Sequence, residues 1–226
     1  GKTGYVASKY LSDKKVDVTS RSEETVRGEE KKEETNQDIE TNQTEENIEE
    51  IQENENEEEK QVSETESNLP FSIEFDNHFL TNEEADAIVN YYYSIEKQDE
   101  ELAKQNSYPA YLDYLTKTYD FDSVKDFLKS NYDTMGNVLE TDNYEFKNIK
   151  ITSCVTEQDK DVYSYFDEID ELLDASAEGT SSKIEKRKLV EADITCTADG
   201  KDISLTEKAG AQQLYIYTID GKPYVL

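Results

Sequence analysis

His78 is the single histidine in 226 residues, set in Phe75-Asp76-Asn77-His78-Phe79 two positions from a carboxylate. A His–Asp pair can move a proton as general acid or base when it has the right reach and pKa. Here it lies in a connector, and no second histidine exists. With two cysteines far apart at Cys154 and Cys196, the chain falls short of four structural zinc ligands. A thiol nucleophile likewise lacks a second histidine as its base. The 42 residues between the cysteines, with no Cys-x-x-Cys, leave two readings: a disulfide in an oxidising compartment, or two buried free thiols. Strict alternation sets Cys154 opposite Ile151 and Val155 and puts Cys196 with Ile194, which opposes pairing unless a bulge intervenes.

Tyrosine is the other abundant group, 16 in all with no Trp. Its apolar body and hydroxyl suit sugars or peptides, and equally a core and its rim. Tyr91-Tyr92-Tyr93 on a helix point in different directions, so at least one is expected at the surface. If a pocket exists, Tyr92, Tyr114, Tyr215 and Tyr217 are the candidates to line it. Acid pairs such as Asp167-Glu168 and Asp170-Glu171 are read as solvated faces rather than a glycosidase pair. There is no Gly-rich phosphate loop, Gly-x-Ser-x-Gly or His-Glu-x-x-His, and no cofactor is expected.

The elements that must position these groups are legible over residues 71–226. Phe71 to Phe75 alternates as a short strand or docked entry segment. Thr81-Asn82-Glu83-Glu84 has the capping-box form. It opens a helix with Ala85, Ile88, Val89, Tyr92 and Ile95 inward, running to about Lys104. Pro109 starts a second helix and Ser123 a third, which ends at Met135-Gly136. Tyr144 to Thr156 is a strand. Val162 to Ala175 is a helix with Tyr165, Phe166, Ile169, Leu172 and Leu173 clustered. Leu189 to Ala198 alternates, with Val190, Ala192, Ile194, Cys196 and Ala198 on one face. Asp199-Gly200 and Asp220-Gly221 mark turns, the second joining Leu214–Ile219 to Tyr224–Leu226 as a hairpin. Three helices, a strand, a helix and a three-strand meander make an α+β domain.

Charge divides the chain differently. The net charge is −30, from 54 acidic and 24 basic residues, and the hydrophobic share is 34%. That share is below the roughly 45–50% usual for globular proteins. The acidity argues against nucleic acid and against an anionic membrane surface as partners. Residues 12–70 hold 21 acids, 7 bases and no aromatic residue. Such a stretch buries too little apolar surface to offset backbone ordering, so it reads as a disordered acidic spacer. All seven Phe and 14 of the Tyr fall in 71–226, which is long enough for one core.

Two resemblances follow. Gly1-Lys2-Thr3-Gly4-Tyr5-Val6-Ala7-Ser8-Lys9-Tyr10-Leu11 resembles the closing strand and helical turn of a bacterial SH3 (SH3b) domain, read as a truncated tail of residues 1–11. This resemblance implies an exported protein facing the cell wall, with peptidoglycan or another wall component as partner and any signal or anchor upstream. The domain 71–226 resembles the NTF2-like (cystatin-related) class, in which helices pack into a curved antiparallel sheet. The early amphipathic helices and Leu214-Tyr215-Ile216-Tyr217-Thr218-Ile219-Asp220-Gly221-Lys222-Pro223-Tyr224-Val225-Leu226 carry it, although Pro223-Tyr224 replaces the class's Gly-Lys-Trp-Tyr ending. Together they imply a non-catalytic binding or scaffolding module of the envelope. The alternatives are a small-ligand cone, a cone enzyme using His78 with a carboxylate, or the targeting half of a peptidoglycan hydrolase.

Overall fold

In the computed structural model, which describes residues 62–64, 69–159 and 163–226, the capping box forms as its sequence predicts. Glu84 N donates to Thr81 Oγ1 at 3.3 Å, and Thr81 N donates to Glu84 Oε2 at 2.8 Å. Helix α1 (Asn82–Lys97) starts there. It stops earlier than its hydrophobic pattern suggests, because Gln98 turns into the left-handed region at φ 51°. Asp99 then caps a separate helix α2 (Glu100–Asn106) by accepting from Leu102 N. Pro109 is the first residue of α3 (Pro109–Thr118), where its missing N–H goes unneeded.

Ser123 caps α4 (Val124–Leu139). This helix runs through Met135-Gly136 rather than ending there, and closes with Glu140 at φ 61°. Gly136 serves packing instead of termination. A Cβ at this position would lie 2.6 Å from the Thr141 carbonyl oxygen. The close approach lets Tyr132 and Tyr144 stack at 4.4 Å between centroids, with planes 8° apart. The Tyr132 hydroxyl donates to Tyr144 O and accepts from Tyr144 N, at 2.8 and 3.0 Å, and Tyr144 Oη donates to Tyr132 O at 3.2 Å.

The remaining elements are strands β1 (Val62–Glu64), β2 (Ser72–Asp76) and β3 (Glu145–Thr156), helix α5 (Tyr163–Ser176), β4 (Ile184–Ala198), β5 (Lys201–Ser204), a short helix α6 (Leu205–Ala209), β6 (Gln212–Ile219) and β7 (Lys222–Val225). The described residues thus form an α+β fold with six α-helices. β1 lies inside the stretch read as spacer. Residues 1–11, read as an SH3-type tail, and residues 12–61 and 65–68 of the stretch read as spacer lie outside the described residues.

The strands make one sheet in the order β1-β2-β3-β4-β6-β7, with β5 also on β4. The expectation of a wholly antiparallel sheet is corrected at one seam. β2 lies parallel to β3, Ile73 opposite Ile149, because α1 to α4 carry the chain back before β3 begins. Both Asp-Gly turns hold positive φ at their two central residues, 52° and 72° at Asp199-Gly200 and 51° and 77° at Asp220-Gly221, as tight hairpins need.

β4 organises the interior. Val190, Ala192, Ile194, Cys196 and Ala198 are all buried, the alternation expected of them. They face α1, since Phe146 pairs with Cys196 across the sheet and packs edge-on against Tyr92 at 5.0 Å. On the other face, Arg187 and Leu189 pair with Tyr217 and Tyr215, and Phe166 of α5 packs edge-on against both tyrosines. At its β4–β6 end the sheet is therefore covered on both faces.

Candidate functional site

Arg187 is the lone arginine of the last 156 residues. Alternation on β4 turns it towards α5. Its Nε donates to both carboxylate oxygens of Asp170 at 3.1 Å, Nη2 to Asp170 Oδ2 at 2.7 Å, and Nη1 to Glu157 Oε2 at 2.9 Å. The guanidinium carbon lies 6.0 Å from the centre of the Tyr217 ring, within cation–π range. The hydrogen bond to Asp170 is the main influence raising the pKa of Arg187 above its ordinary value, followed by burial, which opposes it, and the bond to Glu157. Arg187, Asp170 and Glu157, with Phe166 and Asp167, line a cleft of about 260 Å³. The cleft holds one cation already paired with Asp170 and Glu157, a third carboxylate from Asp167, and the Phe166 ring.

Lys188 points the opposite way. Its ammonium donates to Glu84 Oε2 at 2.7 Å and to Phe79 O at 3.0 Å. Glu84 therefore serves the capping box and this ion pair together. The Cys154 thiol reaches the same Phe79 carbonyl at 3.6 Å. Burial pushes that thiol up to about 11, against the opposing pull of Lys188, so it stays protonated at neutral pH and is a poor nucleophile.

The disulfide is not formed. Both cysteines are free. A register shift between Ile151 and Ser153 does turn Cys154 to the same face as Cys196, undoing the strict alternation. Cys154 then lies opposite Val190, however, and Cys196 opposite Phe146. Six residues of β4 separate those positions, roughly 20 Å of strand, several times the span of a disulfide. Burial pushes the Cys196 thiol up to about 12.

The four candidate tyrosines do not gather around one pocket. Tyr92 is core on the α1 face, and Tyr217 is fully buried beneath Arg187. Tyr215 is half-buried against Phe166, and Tyr114 packs half-buried on α3. Only Tyr217 and Tyr215 adjoin the cleft region, through Arg187 and Phe166. Burial raises the pKa of Tyr92, Tyr215 and Tyr217.

His78 does meet Asp76, Nδ1 to Oδ1 at 2.7 Å, while its backbone N also donates to that oxygen at 2.8 Å. Its side chain is 71% exposed, so the pair is a local turn contact on the surface rather than a base inside a cone. Among the described residues, no three His, Cys, Asp or Glu side chains gather in a metal-holding group. Nor is any helix among them long and apolar enough to cross a membrane.

The Arg187–Asp170–Glu157 cluster escaped the reading of acid pairs as solvated faces. The available signal was compositional: the single arginine of residues 71–226, on a strand, out of phase with the buried run from Val190 to Ala198. Compared with known proteins, the chain matches no family model, no curated protein and no solved structure.

Proposed function

We propose that this chain is a non-catalytic, wall-associated binding and scaffolding module of an exported bacterial envelope protein. In this reading residues 1–11 are the tail of an SH3-type domain, and the acidic stretch from residue 12 is a spacer that gives way to the NTF2-like α+β domain at β1. α1, laid against the sheet, and the closing β6–β7 hairpin are what support the NTF2-like part, while the parallel β2–β3 seam departs from that class.

One observation carries the binding reading over a cone enzyme or an enclosed ligand cone. The space between α1 and the sheet is filled by Tyr92, Phe146, Val190, Ile194 and Cys196, each 5% exposed or less. Contact with a large wall polymer then falls on the outer surface, where charge and exposed side chains lie. Residues 71–226 hold 33 acidic and 15 basic residues, an excess of negative charge that steers such a surface towards cationic or neutral material.

The test is co-sedimentation of the full chain with purified wall sacculi, beside an unrelated protein of similar size and acidity. Severalfold enrichment in the pellet is expected. Retention no greater than that of the acidic control overturns the reading.

A further inference from the structure

The two ends of the sheet are protected in different ways. β7 carries Lys222 and Pro223, a charge and a missing donor of the kind that discourages further strand pairing. β2, Ser72-Ile73-Glu74-Phe75-Asp76, carries charge at Glu74 and Asp76 but no proline, so every residue keeps its backbone donor. Its outer side is covered instead by β1, three residues paired antiparallel with Val62 opposite Asp76, Ser63 opposite Phe75 and Glu64 opposite Glu74.

β2 does not depend on that cover. Ile73 and Phe75 are 1% and 2% exposed, and three residues pair with β3 on the inner side. Ser72 Oγ donates to Asn148 Oδ1 at 2.7 Å, and Asn148 Nδ2 donates to Glu74 Oε1 at 3.1 Å. β1 occupies the end of the sheet order and has only β2 beside it. A three-residue edge strand held by one ladder opens far more readily than a strand seated in the core.

We propose that the outer edge of β2 is a strand-accepting site, and that the chain's own residues 62–64 fill it as a detachable cover. When β1 lifts away, β2 stays in place and offers backbone donors and acceptors at residues 74–76 to an extended segment of the same sequence, antiparallel as β1 is now. The cover also keeps one copy's β2 from pairing edge to edge with another's. The proposal holds whether or not the domain binds wall material.

Amide hydrogen exchange on the full chain tests it. The amides of residues 74–76 that face β1 should exchange at least tenfold faster than those of Ile149 and Ile194, through an opening insensitive to low urea. Equal rates overturn the proposal. Val62→Pro with Ser63→Pro must remove a donor aimed at β2, because successive N–H groups point to opposite sides of a strand. That double variant should lose protection at residues 74–76 only. A peptide spanning residues 58–68 should restore the protection, and a scrambled peptide should not. Val62→Ala with Ser63→Ala should behave as the unmodified chain does. If the peptide fails to restore protection, no strand-accepting edge exists. If the proline variant also loses the slow exchange of Ile149 and Ile194, β1 is integral to the fold, and the proposal is equally overturned.

Discussion

Arg187 and Lys188 stand side by side on β4, and strand alternation sends them to opposite faces of the sheet. Lys188 reaches a carboxylate that is nearly sealed: its own side chain is 16% exposed and that of Glu84 5%. Arg187 sits at a rim, with Asp170 at 23% and Glu157 at 30%. The rim pair has more contacts, yet the sealed pair should matter more for folding. Water can replace a lost partner at the rim, whereas at the sealed site the remaining charge is stranded in low dielectric. Burial of the partner, rather than the number of hydrogen bonds, sets what each cation contributes.

The strongest challenge to this contrast is Glu84→Ala. It strands Lys188 and removes the capping box, and should cost about 3–5 kcal/mol, read as a lower urea midpoint at unchanged slope. A loss below about 1 kcal/mol would show that Lys188 escapes to solvent and that the two sites are alike. Asp170→Ala comes next, at about 2 kcal/mol for a bidentate charged pair, with Glu157→Ala well below it. If Asp170→Ala exceeded Glu84→Ala, the ordering by burial would be wrong.

The sealed face should also show itself in alkali. Cys154 and Cys196 are held above the ordinary thiol value of 9.0, at about 11 and about 12. Raised folded values mean that the native state keeps its protons after the unfolded state has released them. Their contribution is therefore complete below about pH 9 and declines as pH rises towards 11 and 12. Thermal melts should lose several degrees across that window, and Cys196→Ala should flatten the decline; a slope that Cys196→Ala leaves unchanged would assign it to other groups. Replacing the sealed pair together, Glu84→Leu with Lys188→Met, should recover most of the Glu84→Ala loss, to within about 1 kcal/mol of the unmodified chain. His78→Ala belongs at the bottom of the scale, within about 0.5 kcal/mol, because its contact with Asp76 is exposed.

Local chemistry was readable where neighbours in sequence decide the structure. Thr81 and Glu84 announce their cap, Asp220-Gly221 announces its hairpin, Asp199-Gly200 announces a turn but not the strand β5 that follows it, and the period-two run from Val190 to Ala198 announces a half-buried strand. Readings failed where a distant group decides. Gln98 breaks the first helix without a glycine or proline to signal it, and Asp99 only then becomes visible as a cap. Gly136 looks like a helix end, but answers to Thr141 across the closing turn. The shift in β3 reversed the face of Cys154, and pairing register, which no spacing of cysteines encodes, kept it from Cys196. The parallel placement of β2 depends on where four helices return the chain. Arg187 finds Asp170 and Glu157 only after α5 has docked.

The stacked tyrosines give this fold a fingerprint that can be sought in other chains. Tyr132 and Tyr144 exchange three hydrogen bonds across the turn, and position 136 has no room for a side chain between them and Thr141. The corner rests on a spacing, Tyr-x3-Gly-x7-Tyr at a helix-to-strand junction, more than on overall composition. A remote relative whose surface charges have drifted beyond detection should still carry that spacing. A chain with the same order of elements but a bulky residue at the glycine must have built the corner another way.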